Sequence, residues 1–179
     1  MALDIAPGGR RAFGFERLKN FDRAAWETIK ADALAREKPR TALPITGSDL
    51  YGDELKNARA NLNAADLDGV VAFKQANVLE VPAPAAGGVI VTNPPYGVRL
   101  SDDDALADFY PQLGNALKQR FTGWRAYILT ADPQLPKKIR LAASKRTVLF
   151  NGALECRLLE YKLVAGGMRK DKPAKPPQA

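Results

Sequence analysis

Between Asp22 and Glu37, Trp26, Ile29, Ala33 and Leu34 recur at the spacing of one helical face, and Asp22 stands where a carboxylate caps a first turn. Pro39 stops that helix. Thr41 to Ser48 reads as a short strand running into Asp49, Asp53 to Ala64 as a helix with Leu55, Ala58 and Leu62 on one side, and Val70 to Lys74 as a second strand. Beyond a Pro- and Gly-rich loop, Val89-Ile90-Val91-Thr92 is the unbroken apolar run of a strand covered on both faces, and it ends directly in Asn93-Pro94-Pro95-Tyr96. Asp102, Asp103 and Asp104 suit a helix N-terminus; Leu106, Phe109, Tyr110, Leu113 and Leu117 follow on one face, and Pro111 predicts a kink or two abutting helices. Trp124 to Thr130 is strand-like, Asp132-Pro133 reads as a cap and first helical residue, and Arg146–Phe150 with Leu154–Val164 forms a closing pair around Asn151-Gly152. Strands that alternate with helices and then pair as a hairpin predict an α/β fold: a mostly parallel open sheet with an antiparallel C-terminal hairpin. Ligands of such sheets sit at the carboxyl ends of the parallel strands.

Composition narrows the chemistry. The 179 residues contain no His, which removes Ser-His-Asp and Cys-His nucleophile systems, His-containing zinc sites and the commonest general base. Cys156 is the single cysteine, so neither an intramolecular disulfide nor a Cys-rich metal site can form, and it reads as a buried thiol in a strand. Hydrophobic residues make up 46%, enough for a packed core in one domain of this length. No apolar run is long enough to span a bilayer, and Asp4 interrupts the opening stretch where a secretory signal needs apolar residues; a cytoplasmic location is expected.

The balance of 27 Lys plus Arg against 20 Asp plus Glu gives +7, which favours an anionic partner. Arg169, Lys170, Lys172 and Lys175 against Asp171 place +3 of that in the last segment, so residues 1–165 read as the folded domain and 166–179 as a basic disordered tail. Near the other end, Arg10, Arg11, Arg17 and Lys19 interleave with Phe13, Phe15 and Phe21. That stretch either touches nucleic acid or packs its rings against a core with the cations in water.

The strand ends carry the chemistry. At Asn93-Pro94-Pro95-Tyr96 an amide oxygen precedes a peptide carbonyl made rigid by the following proline. Two such acceptors can hold both hydrogens of a nucleobase amino group, weakening delocalisation of its lone pair into the ring, while Tyr96 can stack on a base turned out of its helix. Gly47-Ser48-Asp49 ends an earlier strand with a carboxylate able to accept from ribose hydroxyls, and Gln75-Ala76-Asn77-Val78 ends the next with an amide able to read an adenine edge. Asp49 could instead cap the following helix, Leu50 belong to the core, and Asn77 be a turn residue.

On these residues the chain resembles the class I S-adenosylmethionine-dependent methyltransferases with a Rossmann-like sheet. Gly47-Ser48-Asp49, Asn93 to Leu100 and Gly123-Trp124 are similar to the bacterial enzymes that methylate guanine N2 in 23S ribosomal RNA, often labelled adenine-specific DNA methylases. The resemblance covers residues 1 to about 165. It implies that Asp49 holds the cofactor ribose, that Leu50 makes an apolar contact with its adenine, that Asn77 takes the adenine amino group and that Val78 beside it belongs to the same cofactor-binding set. It also implies that Asn93 and the Pro94 carbonyl grip the target amine beside Pro95, with Tyr96 stacking. The partner implied is RNA. The motif serves adenine N6 in DNA or RNA equally well, and a noncatalytic nucleic-acid-binding domain is the other class to weigh.

Two departures stand out. Asn77 occupies a position where such enzymes usually carry Asp, and no strand followed by a Gly-rich turn is present for the methionine end of the cofactor. The resemblance puts that strand in the middle of the sheet, between those ending at Asp49 and Asn93. The expectation is an N-terminally truncated piece that binds S-adenosylmethionine weakly or not at all and methylates poorly by itself.

Overall fold

A computed structural model describes residues 2–9, 11–94 and 103–165, the side chains of 103–106 excepted. Arg10, Pro95, Tyr96, Asp102 and the segment 166–179 lie outside the described residues. The chain divides into two compact units, Met1–Gln75 and Ala76–Ala179.

In the first unit, helix α1 (Arg23–Ala35) starts where Asp22 accepts a hydrogen bond from the Ala25 amide at 3.0 Å, as the sequence predicts. The apolar face expected of it is not a core face: α1 buries no residue, and Ile29 is 61% exposed. Strand β1 (Thr46–Asp49), helix α2 (Gly52–Ala64) and strand β2 (Ala72–Gln75) form a parallel βαβ unit in which Asp49 lies opposite Gln75. The strand expected from Thr41 is shorter at its start because Pro44 has no amide to donate to a ladder. The pairing continues irregularly instead, through Leu43 N to Val70 O at 2.9 Å and Ala72 N to Ile45 O at 3.1 Å.

The second unit holds a sheet in the order β3 (Val89–Thr92), β4 (Arg125–Thr130), β6 (Leu154–Lys162), β5 (Lys145–Asn151). The β3–β4 pair is parallel; β6 is antiparallel to both its neighbours. Gly152, with φ +62°, begins the two-residue turn between β5 and β6. Helix α3 (Asp103–Arg120) and the short helix α4 (Leu135–Lys138) bring Tyr110, Leu113, Leu117, Leu135 and Ile139 into one core with Ala126, Ile128, Leu159 and Tyr161. Two predictions change here. Pro111 sits inside one continuous 18-residue helix instead of dividing two. Asp132 is not a helix cap: α4 is preceded by Gln134, and Asp132 accepts from the Gln134 amide at 2.8 Å and from Lys138 Nζ at 2.8 Å. Burial pushes the Asp132 carboxyl up, but the Lys138 and Gln134 hydrogen bonds and the Lys138 charge hold it below the usual carboxylate value.

Strand β3 also departs from its reading as a strand covered on both faces. Ile90 packs toward the core with Ala126, whereas Val89 and Val91 on the opposite face are 59% and 75% exposed, because the α3 and α4 residues of that core all lie on the Ile90 side. Among the described residues β1 pairs only with β2 and β3 only with β4, so each has one free edge. Cys156 is buried, as expected. No described helix is long and apolar enough to cross a membrane.

The Tyr161 hydroxyl is buried without a hydrogen-bond partner among the described residues, a costly arrangement for a polar atom. Burial pushes its pKa up from 10.0 to about 12, against the lowering charge of Arg146. The folded form thus holds this proton more tightly than the unfolded chain does. The corresponding stability is complete below pH 10 and is lost as pH rises through about 12. Tyr161→Phe is expected to add about 1 kcal/mol at neutral pH, or about 2–4 °C in Tm, and to flatten that alkaline loss; thermal melts between pH 7 and 11 read both effects.

Candidate active site

At the carboxyl end of β1, the half-buried Asp49 turns one carboxylate oxygen back on the chain, where Oδ1 accepts from the Tyr51 amide at 2.8 Å. Asp49 is therefore not the cap of α2, whose N-cap residue is Tyr51, and its second oxygen has no partner among the described residues. Leu50 is 53% exposed at this corner, not part of the core. The corner is clamped by a residue to which the sequence reading gave no role. Gln75 Nε2 donates to the Leu50 carbonyl at 3.0 Å, and a Cβ at Gly52 would approach Gln75 Oε1 to 3.1 Å. The only signal in the sequence was an amide side chain at a strand end; its partner, 25 positions away, comes from the β1–β2 register.

In the second unit, Asn77 is half-buried and its Oδ1 accepts from the Leu79 amide at 3.0 Å, so it shapes the turn after β2. This use leaves one Oδ1 lone pair and both amide hydrogens for a ligand edge. Val78 beside it is 37% exposed. Asn93 and Pro94 follow β3 directly: Asn93 is exposed with its side chain free of hydrogen bonds to described residues, and Pro94 is buried. The Asn93 carboxamide thus stands between a strand that is anchored to β4 on one side and a buried proline. Pro95 and Tyr96, the other two residues of the motif, fall outside the described residues.

Asp49 and Leu50 share one corner of the first unit, and Asn77–Val78 and Asn93–Pro94 lie on two loops of the second. Within each unit these groups have the chemistry of nucleoside ligands: a carboxylate oxygen and aliphatic surface at the Asp49–Leu50 corner of the first, and amide donors and acceptors at Asn77 in the second. No cluster among the described residues could hold a metal ion.

Comparison with known proteins supplies the family. Residues 1–160 match the family described as RMKL-like, methyltransferase domain (UPF0020). A ribosomal RNA large subunit methyltransferase K/L from Shewanella sp. (strain W3-18-1) is 41% identical over 180 residues, which is 98% of this chain and 25% of the relative. Among solved structures, SMU.472 complexed with SAH superposes with a TM-score of 0.81 at 32% identity, covering 93% of this chain and 43% of that one. A predicted N6-adenine-specific DNA methylase from Listeria monocytogenes str. 4b F2365 gives 0.76 at 28% identity, covering 89% and 40%. The chain thus spans a quarter of the curated relative and less than half of either solved structure. Its order of strands and helices, its parallel β1–β2 and β3–β4 pairs and its antiparallel β5–β6 hairpin follow the class I methyltransferase fold of these structures. The chain belongs to the RMKL-like methyltransferase domain family.

Proposed function

We propose that this domain serves the transfer of a methyl group from S-adenosylmethionine to an exocyclic amino group of a base in RNA, guanine N2 of 23S ribosomal RNA foremost. The observation that carries the reading is the exposed carboxamide of Asn93 at the carboxyl end of β3, without a hydrogen bond to described residues and backed by the buried Pro94. The Shewanella relative, named for ribosomal RNA, supports the acceptor class, and SMU.472, complexed with SAH, supports the cofactor. A second reading, adenine N6, is favoured by the name of the Listeria structure; nucleoside analysis of the methylated product separates the two.

S-adenosylmethionine, when bound, supplies an electrophilic methyl on a sulfonium. The chain's own contribution is binding and orientation, which can account for much of a displacement rate. Asp49 accepts from the ribose hydroxyls with its free oxygen, Leu50 and Val78 present apolar surface to the adenine, and Asn77 bonds its edge. Asn93 Oδ1 and the Pro94 carbonyl accept the two hydrogens of the target amine, and Tyr96 stacks on the extruded base. Transfer to the nitrogen would break the methyl–sulfur bond, leave a neutral thioether as the leaving group and release one N–H proton, which water can take without a histidine.

Asp49→Asn tests the cofactor side. The amide can still accept from Tyr51, keeping the corner, but only by turning a donor toward the ribose. Cofactor affinity is expected to fall about 10- to 100-fold, the worth of a charge-assisted hydrogen bond, with the melting temperature nearly unchanged. Titration calorimetry of S-adenosylmethionine against the complete enzyme with and without the substitution reads this directly, and equal affinities would remove Asp49 from the site.

A further inference from the structure

The stretch from Arg11 to Trp26 takes no part in the chemistry above, yet it is organised around its rings. Phe13 and Phe15 stack with centroids 5.3 Å apart and planes inclined by 17°. Trp26 of α1 stands edge-on to both, at 5.7 and 5.0 Å, and Phe21 closes on Phe15 at 5.8 Å. The spacing of the pair is set by the short 3-10 helix Gly14–Arg17, where Glu16 Oε1 accepts from the Phe13 amide at 2.8 Å. The stack is nevertheless not closed over. Phe15 remains 40% exposed, and a Cβ at Gly14 would meet nothing within 4 Å.

Of the described cations in the unit outside this stretch, Arg36, Lys38, Arg40 and Lys56 each pair with a carboxylate, whereas Lys30, Arg59 and Lys74, scattered along the chain, form no ion pair with described residues. Arg11, Arg17, Lys19 and Arg23 are exposed and form no ion pair with any described residue. Both carboxylates of the stretch are committed to backbone amides, Glu16 to Phe13 and Asp22 to Ala25. Two of the free cations lie over rings: the Arg11 guanidinium carbon is 4.7 Å from the Phe13 centroid, and that of Arg23 is 5.7 Å from the Phe21 centroid. Gly8 makes room for the first of these, since a Cβ there would come within 2.7 Å of Arg11 Nε.

We propose that this cluster is a platform for a single-stranded segment of RNA, with a base stacking on Phe15 and phosphates meeting Arg11, Arg17, Lys19 and Arg23. It deepens the proposed function and rests on its choice of RNA. Fixed, partly open rings bordered by unpaired cations are the pairing that single strands require: each unstacked base offers a π-face and each phosphate a charge. A duplex offers phosphates alone at this spacing, because its base faces are occupied by one another. A purely electrostatic patch would have no need of rings held orthogonally by Trp26.

The test uses the 179-residue chain without a methyl donor, and the anisotropy of a labelled 12-nucleotide single-stranded RNA and of a 12-base-pair RNA duplex. Phe15→Leu keeps an apolar side chain of similar reach but removes the π-face. It is expected to weaken single-strand binding about 5- to 100-fold and leave duplex binding unchanged, whereas Phe15→Tyr stays within about twofold. Arg17→Gln and Lys19→Gln, both at exposed positions, are each expected to reduce the single-strand salt slope by about 0.7. The platform is overturned if wild type does not bind the single strand at low salt, if Phe15→Leu binds it as wild type does, or if both RNAs lose affinity equally. Should the leucine variant melt early, the two glutamine variants decide, and unchanged slopes overturn the proposal. Because the readout is binding, it separates from methyl transfer. Loss of transfer in Asn93→Ala beside unchanged binding in Phe15→Leu removes the platform alone, and the opposite pair of results removes the methyl-transfer reading alone.

Discussion

In the complete enzyme, replacing Asn93 with Ala is expected to lower turnover about 10²- to 10³-fold, comparable to deleting one preorganised hydrogen-bonding group from a reaction centre, while affinity for RNA stays within about twofold. The asymmetry follows from where Asn93 stands. It is exposed, makes no hydrogen bond to described residues and supports no packing, so its removal leaves the fold and any phosphate contacts intact. What is lost is an acceptor that matters most when the amine nitrogen attacks and its N–H bonds become more acidic. Such an interaction is stronger in the transition state than in the bound complex, and its loss appears in kcat more than in KM. Transfer of labelled methyl from S-adenosylmethionine to ribosomal RNA, beside a filter-binding isotherm for the same RNA, reads the two quantities. Unchanged turnover would refute the role given to Asn93. A parallel drop in RNA affinity would make it a binding residue, not one that activates the amine.

Gly114→Ala carries the largest expected effect on stability. On helix propensity alone, alanine in place of a mid-helix glycine should stabilise by about 1 kcal/mol. The packing reverses the sign. Gly114 lies buried on α3, and a Cβ built on it falls onto the carbonyl oxygen of Ile139, with Ile139 Cγ1 at 3.3 Å. That oxygen belongs to backbone at the end of α4, which is pinned because Leu135 and Ile139 are both fully buried in the same core. No side-chain rotation can relieve the contact, so helix must move against helix. A net loss of about 2–3 kcal/mol, or about 5–10 °C in Tm, is expected, read by thermal or urea unfolding. A variant as stable as wild type would mean that α3 and α4 sit farther apart than described.

The elements read most faithfully were those whose signals are local. Asp22 caps α1 through an amide three residues away, Val89–Thr92 is a strand with the predicted ends, and Gly152 turns the β5–β6 hairpin; each depends on a few neighbouring residues. The misreadings occurred where a local signal competed with a distant partner. Asp132-Pro133 has the form of a helix start, but Lys138 and the Gln134 amide take up the carboxylate. Of the two outcomes read for Pro111, a kink or two abutting helices, the second does not occur, because Tyr110, Leu113 and Leu117 on either side of it share one core and the helix continues. The α1 pattern has helical period, but the rings of Phe13 and Phe15 meet it at Trp26 without burying any of its residues, and Ile29 stays exposed.

By itself, the sequence determined the fold class and which residue types stand at the strand ends. The absence of histidine closed most catalytic routes, and the carboxamide and carboxylate groups there are the ground on which nucleoside and amine recognition is proposed. Tertiary structure alone decided which of those groups are already engaged. One oxygen of Asp49 is spent on its own turn, Asn77 is partly spent on another, Gln75 clamps Leu50, and Asn93 makes no hydrogen bond to described residues. The reason is physical: composition and spacing state what a side chain can donate or accept. Whether that capacity is satisfied depends on groups that only chain folding brings within about 3 Å.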